Sequence, residues 1–421
     1  MFVLLASALA VPMTIEEYEK KFGEYWNDPE DLKAAAAELA AAEAEIAAAD
    51  AEDPEAEKLN ELSAIPKDEF EAEKLGALEH ESFAMGLLET PEEMRINSPE
   101  TQAFLDAFYA EADRIEYPEH FDARDHHLIT PVKNQMSCGS CAAFAATAVH
   151  ESCLARVGVP LAGLDLSEQE VLDCGYDYKG QANACKGATV GVYQEYMADH
   201  GGTHSHETDY PYQDRDPNYS CQTDKPKWNS GAIIDKAIVD YGCDEDKMKK
   251  MIYYHGAVAT GIYASDSGFK NSDKEVFDRC SSSKINHAVT VVGWGTQGGK
   301  DYWLIKNSWG DHWGDGGYSK IARGRGECGI GGNCAMAICK EVGGATPAPI
   351  PPPPAPIPPN QFCDISKLYG PGINGKVGLR TKVNGKEYSA SVTCNDSICT
   401  PTNPGPSNAC IYICGMTKCE K

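Results

Sequence analysis

The stretch QMSCGSCAAF, residues 135–144, decides how this chain is read, because two of the 17 cysteines stand three apart just before an apolar helical pattern. Such a pair fits a zinc site, a dithiol redox motif, or a nucleophile beside a structural half-cystine. A zinc site wants a second Cys or His pair at ligand spacing, and a redox C-x-x-C sits in a thioredoxin-like βαβ unit. Neither context is present, which leaves a nucleophile and a structural partner. Residues 141–156, CAAFAATAVHESCLAR, carry a helical apolar stripe with no Gly or Pro, so the sequence predicts a helix that Cys141 opens. A thiol there sits at the positive end of aligned peptide dipoles, which favours its ionised form. Cys138, in the Gly-containing turn before the helix, lacks that advantage.

A thiol nucleophile also needs an imidazole. Of 11 histidines, His126, His127, His204, His206 and His255 stand in polar or loop-like contexts. His287 instead begins the strand-like run HAVTVVGWG, residues 287–295, where a charged ring is costly without a partner. Asn307 ends a second apolar run in DYWLIKNSWG, residues 301–310, followed closely by Trp309. A buried amide there can fix the ring while the indole excludes water.

The rest of the chain divides by composition. The net charge is -27, and residues 1–116 hold 30 Asp plus Glu against 8 Lys plus Arg, a local -22 that leaves -5 for the remainder. Nothing resembles the basic face that nucleic acid requires, so a nucleic-acid partner is excluded. Residues 1–10 of MFVLLASALAVP read as a secretory signal, although the usual positive start is missing. No later apolar run reaches the ~18 residues of a membrane span. All cysteines lie at or after Cys138, which argues for an oxidising compartment. Residues 11–116 are acidic and helical, with an alanine-rich stripe that needs a partner surface, and a further helix is expected from Pro99 to about Glu111. Residues 117–342 mix helix and strand patterns. Residues 343–359 form a linker with nine prolines between 345 and 359, a polyproline spacer on the order of 45 Å if extended. Residues 360–421 hold six cysteines (363, 394, 399, 410, 414, 419) and few large apolar side chains, so three disulfides are expected.

The segments PVKNQMSCGSC (131–141), INHAVTVVGWG (285–295) and DYWLIKNSWGDHWGDGGY (301–318) resemble the papain-like cysteine proteases, the cathepsin L branch in particular. The resemblance covers residues 117–342. It implies an α+β, two-lobed fold with a helical left lobe and a β-barrel-like right lobe, and a secreted or lysosomal cysteine endopeptidase acting as a monomer on proteins or peptides. No metal or organic cofactor is implied. Cys141 matches the nucleophile, His287 its base and proton donor, Asn307 the residue that orients the imidazole, and Gln135 the oxyanion-hole side chain. Cys138 is expected to bond Cys185, Cys174 to bond Cys221 and Cys280 to bond Cys328. Cys153, Cys243, Cys334 and Cys339 remain unassigned. Gly187 and Ala188 match the segment that binds substrate backbone. Thr189, Val190, Gly261, Ile285, Ala288 and Asn333 match the S2 pocket, which suits an aliphatic or aromatic P2 residue. Trp309 matches the shield over the His–Asn bond, and Trp313 reads as packing.

Three positions depart from the pattern. The family's aromatic after the nucleophile is Ala142, its Gly before the turn is Met136, and Ala188 stands where a Gly is usual and is expected to crowd the cleft. Residues 11–116 occupy the place of an inhibitory prosegment with mature enzyme beginning near Tyr117, and ESFAMGLLETPEEM (81–94) resembles the loop after the family's long prosegment helix. Asn218 and Asn395 stand in glycosylation sequons. The competing reading is a weakly active or inactive homologue that binds proteins or glycans, favoured by Met136, Ala142 and Ala188.

Overall fold

The computed structural model describes residues 12–22, 28–50, 58–76, 98–214, 220–342, 363–364, 375–383, 386–395 and 398–401. The expected signal, the 81–94 loop, the linker, Asn218 and Cys410, Cys414 and Cys419 lie outside them. The chain divides into units Met1–Ile350 and Pro351–Lys421.

The helix Cys141–Arg156 is the spine of the first unit, with residues 141–147 and most of the next two turns buried. So many small residues in CAAFAATA allow a sheet to approach closely on one side and other helices on the other. It packs on the strands His287–Gln297 and Cys334–Glu341 and on the helices Glu168–Cys174 and Val192–Asp199. The sheet order is Ala232–Asp240, Cys334–Glu341, Val258–Ile262, His287–Gln297, Lys300–Lys306, Tyr318–Ala322, Val276–Phe277, antiparallel except for the last pair. Mixed helix and antiparallel sheet make this an α+β unit.

The run HAVTVVGWG is apolar on both faces because both are covered: residues 287–295 are all buried, with Cys141–Arg156 and Glu245–His255 packed against the strand. Its Gly293 is required by a close approach. A Cβ there would lie 2.2 Å from the Phe121 carbonyl, on the short strand Phe121–Asp122 that pairs with residues 293 and 294.

The acidic N-terminal region does find its partner surface. Helix Pro29–Asp50 rests on the short helix Ser267–Lys270, and Glu38 pairs with Lys270 at 2.7 Å. Tyr18, Leu39 and Ala64 form a small core of their own, with the Tyr18 hydroxyl donating to Asn60 O at 2.7 Å. Helix Pro99–Ala112 starts on a Ser98 cap and buries Leu105 and Ala112, and Tyr109 donates to Asp240 at 2.8 Å.

In the second unit, strands Gly375–Val383, Lys386–Asn395, Ile398–Pro401 and Cys363–Asp364 form an antiparallel sheet in that order. Cys394 lies opposite Cys399, and Cys399 opposite Cys363. Asn395 closes its strand opposite Ile398.

Five disulfides link described cysteines: Cys138–Cys185, Cys174–Cys221, Cys280–Cys328, Cys153–Cys339 and Cys243–Cys334. Cys153–Cys339 ties the spine helix to a central strand across 186 residues. Replacing both cysteines by alanine should cost about 2–5 kcal/mol. Scanning calorimetry should then show the thermal midpoint lowered by roughly 5–15 °C; an unchanged midpoint would contradict the bond's contribution.

Candidate active site

Cys141 is the free cysteine of the described residues and is completely buried. Ser140, at the helix cap, makes no side-chain capping bond, so the first N–H groups of the helix stay available to the sulfur. Sγ accepts from the Ala288 N–H at 3.4 Å, and the N–H groups of Gly76, Ala142 and Cys141 also favour its charged form. Burial outweighs them and pushes the thiol up to about 11.

His287 opens its strand beside that thiol, one residue before Ala288. Its Nε2 lies 2.8 Å from Asn307 Oδ1, and the Trp309 ring stacks on it at 4.7 Å between centroids. Nδ1 makes no hydrogen bond of good geometry. Burial drives the imidazole down to about 4, opposed by the Asn307 bond and the nearby Lys74 backbone.

Gln135 is fully buried and held at both ends. Ser308 Oγ donates to its Oε1 at 2.7 Å, which turns Nε2 toward Cys138 O at 2.9 Å and Lys74 O at 3.2 Å. The Ser308 N–H also donates to Asn307 Oδ1 at 2.8 Å, so one serine links the amide of Gln135 to the amide that holds His287. Sequence reasoning passed over Ser308; its only signal was adjacency to Asn307 in KNSWG.

Residues 70–76 of the acidic region run straight through this constellation. Phe70 sets its ring edge against Trp309 at 5.3 Å. Lys74 O accepts from Gln135, and Lys74 Nζ donates to Met136 O at 2.6 Å. Gly76 lies against Cys141, and its carbonyl accepts from the Ala188 N–H at 2.8 Å. Ala188 is buried and its N–H pairs with the covering chain.

The other expected cleft residues fall into two groups. Thr189 bonds Gln181 through backbone and side chain, and Val190 is buried next to it. Gly261 faces Ile285, whose Cδ1 would lie 2.5 Å from a Cβ, and the Gly261 N–H donates to Asn333 Oδ1 at 3.2 Å. Ala288 joins them as the neighbour of the thiol. Trp313 is buried against Trp309 and Phe269. Of the departures, Ala142 is buried in the spine helix. Met136 is 46 % exposed and sits at φ 53, a left-handed backbone that glycine adopts without penalty and methionine does not.

The profile described as "Papain family cysteine protease" matches residues 117–338. The chain belongs to the papain family. A "Cathepsin L-like" protein of Caenorhabditis elegans is 38 % identical over 221 residues, covering 51 % of this chain and 63 % of that protein. "Cathepsin S" of Mus musculus is 37 % identical over 221 residues, covering 52 % and 63 %. The chain therefore spans somewhat under two thirds of the length of these relatives. Among solved structures, digestive procathepsin L2 from Tenebrio molitor larval midgut superposes with a TM-score of 0.60 at 27 % identity, covering 77 % of this chain and 98 % of that one. The ragweed pollen cysteine protease Amb a 11 in its proform gives 0.61 at 26 %, covering 77 % and 92 %. Residues 117–338 alone could not account for 77 % of this chain, so the likeness to these proforms takes in part of the acidic region.

Gly76 provides a direct test of the covering segment. A Cβ at this position would lie 1.8 Å from the Gly139 carbonyl, a backbone atom that cannot step aside. Gly76→Ala should weaken the segment's hold by ~1–3 kcal/mol. Iodoacetamide should then alkylate Cys141 in the full-length chain about tenfold faster or more; an unchanged rate would mean that residues 70–76 do not cover the thiol.

Proposed function

We propose that the chain is the zymogen of a secreted or lysosomal cysteine endopeptidase, with prosegment 11–116, catalytic domain 117–342, linker 343–359 and C-terminal domain 360–421. The observation that carries this reading is a backbone carbonyl, Lys74 O, held by Gln135 Nε2 beside a helix-terminal thiol and an Asn-oriented imidazole. That is the place a scissile carbonyl would take. Five disulfides support the oxidising route.

In the uncovered site, the Cys141 thiolate attacks the carbonyl carbon of the substrate. The oxygen takes the charge and is held by Gln135 Nε2 and the Cys141 N–H. Protonated His287 gives its proton to the leaving amine as the C–N bond breaks, leaving a thioester on Cys141. Water, giving up a proton to His287, attacks the thioester and frees the acid and the thiolate. Asn307 keeps Nε2 occupied throughout, and Trp309 keeps water from that bond.

The prosegment lies in the cleft from Trp309 toward Ala188 as its residue numbers rise. Its anchors include Glu38–Lys270 and Lys58–Asp273.

The two shifted groups set the pH dependence. With the thiol near 11 and the imidazole near 4, neither partner is charged at neutral pH in the covered state. The thiolate fraction at pH 7 is then roughly 10⁻⁴ and rises with pH. Alkylation of the full-length protein should be slow at pH 7 and climb toward pH 11. After acid processing near Tyr117, ion-pair formation should make it fast and nearly flat down to about pH 5. An epoxide thiol-protease inhibitor should label the processed protein and not its Cys141→Ala variant. A processed protein that no such reagent labels at any pH would instead be the binding homologue.

A further inference from the structure

Both groups that would receive the oxyanion hang from one short loop. Gln135 supplies its side-chain amide, and the Ser140–Cys141 peptide supplies the N–H. Between them stands Met136 in its left-handed conformation, a source of strain that persists only where surrounding contacts impose it. Cys138–Cys185, the Asn134 Oδ1 bond to the Met136 N–H at 2.9 Å and bonds among Gln135, Cys138 and Ser140 oppose relaxation within the loop, while Ser308 holds Gln135 and Lys74 Nζ holds the Met136 carbonyl.

A further external hold, and the one that spans both ends of the loop, comes from residues 212–214. The Tyr212 hydroxyl donates to Gln135 O at 2.7 Å and lies 2.8 Å from Ser140 Oγ. A single phenol thus ties the residue bearing the first donor to the residue preceding the second. Asp214 Oδ1 accepts from the Ser137 N–H at 2.7 Å, next to the strained position. The holding segment is anchored in turn: Tyr212 N–H donates to Glu207 at 2.7 Å, Gln213 N–H to Gln169 at 2.9 Å, and the Tyr212 ring meets the edge of Phe144 at 5.0 Å. The hydroxyl's two bonds go to the loop, not to Cys141, His287 or Asn307.

We propose that Tyr212, supported by Asp214, is a positioning residue for the oxyanion hole, clamping the strained 135–140 loop so that the Gln135 amide and the Cys141 N–H converge on one point. The clamp makes Met136 tolerable where the family pattern has glycine. It rests on the peptidase reading and adds to it a residue that touches neither substrate nor reacting atoms.

The test uses the acid-processed protein, Tyr212→Phe, and two probes of Cys141. A peptide aldehyde reports on the hole: Sγ adds to its carbonyl carbon, the C=O pair moves to oxygen, and that oxygen takes a proton from His287 to give a hemithioacetal. Iodoacetamide reports on the thiolate alone, losing iodide as the C–S bond forms. Tyr212→Phe should lower kcat and aldehyde affinity together by about tenfold, the worth of one hydrogen bond, with KM and alkylation rate unchanged. In a Met136→Gly background the same change should cost only about twofold, since less strain remains to be held. Asp214→Ala, read by the same assays, should move in the same direction and serves if Tyr212→Phe does not fold. Unchanged aldehyde affinity, a parallel loss of alkylation, or an equal loss in both backgrounds would overturn the clamp alone. A wild-type protein inert to substrate and aldehyde would overturn the peptidase reading and the clamp with it.

Discussion

The contact on which the rest depends is the meeting of the spine helix with the strand His287–Gln297. Its atomic core is the Ala288 N–H pointing at Cys141 Sγ. A thiol at a helix start and an imidazole at a strand start can be brought together only if helix and sheet pack closely enough for backbone to reach sulfur. The alanines of residues 142–146 provide that closeness. Everything else around the site fixes the two elements: Asn307, Ser308 and Trp309 at the end of the neighbouring strand, and the Cys153–Cys339 bond behind.

That packing also decides the electrostatics. A site shielded from water strengthens each hydrogen bond to the sulfur and yet disfavours the charge those bonds would stabilise. The balance is set by whether the prosegment is in place. With residues 70–76 over the cleft, burial wins and both partners stay neutral; the same atoms opened to solvent favour the charged pair. On the proposed zymogen reading, latency is therefore an electrostatic state as well as a steric one.

Much of the fold was legible in the sequence because the elements around the site are strongly patterned. The expected helix 141–156 and the strands from His287 and Asp301 appear with nearly the expected bounds. Helix Pro99–Ala112 runs one residue past its expected end. Less could be read where position depends on partners distant in the chain. The bonds Cys153–Cys339 and Cys243–Cys334 join residues 186 and 91 apart, and no local pattern encodes such pairs. The segment across the cleft is residues 70–76, and its defining residue is a glycine chosen for the size of a neighbour's carbonyl, invisible to periodicity. The N–H that Ala188 offers to the chain across the cleft was likewise not to be read from its residue type. Ser308 and Tyr212 act through backbone carbonyls and amides, and a sequence does not show where those point.

On the proposed zymogen reading, Lys270 carries a consequence for the end of the latent state. Its ammonium is buried, and the groups that receive it, Glu38, the Ile65 carbonyl and the Phe70 ring, all belong to the prosegment. On the proposed reading, maturation would take Glu38, the Ile65 carbonyl and the Phe70 ring away from that cation together. A severed fragment that drifts back finds a complementary charge as well as a matching shape, but without the tether, which for a short flexible linker gives an effective concentration on the order of millimolar. From that moment, inhibition becomes a question of dilution: the enzyme is committed once the fragment has been diluted away or digested, not when the chain is cut.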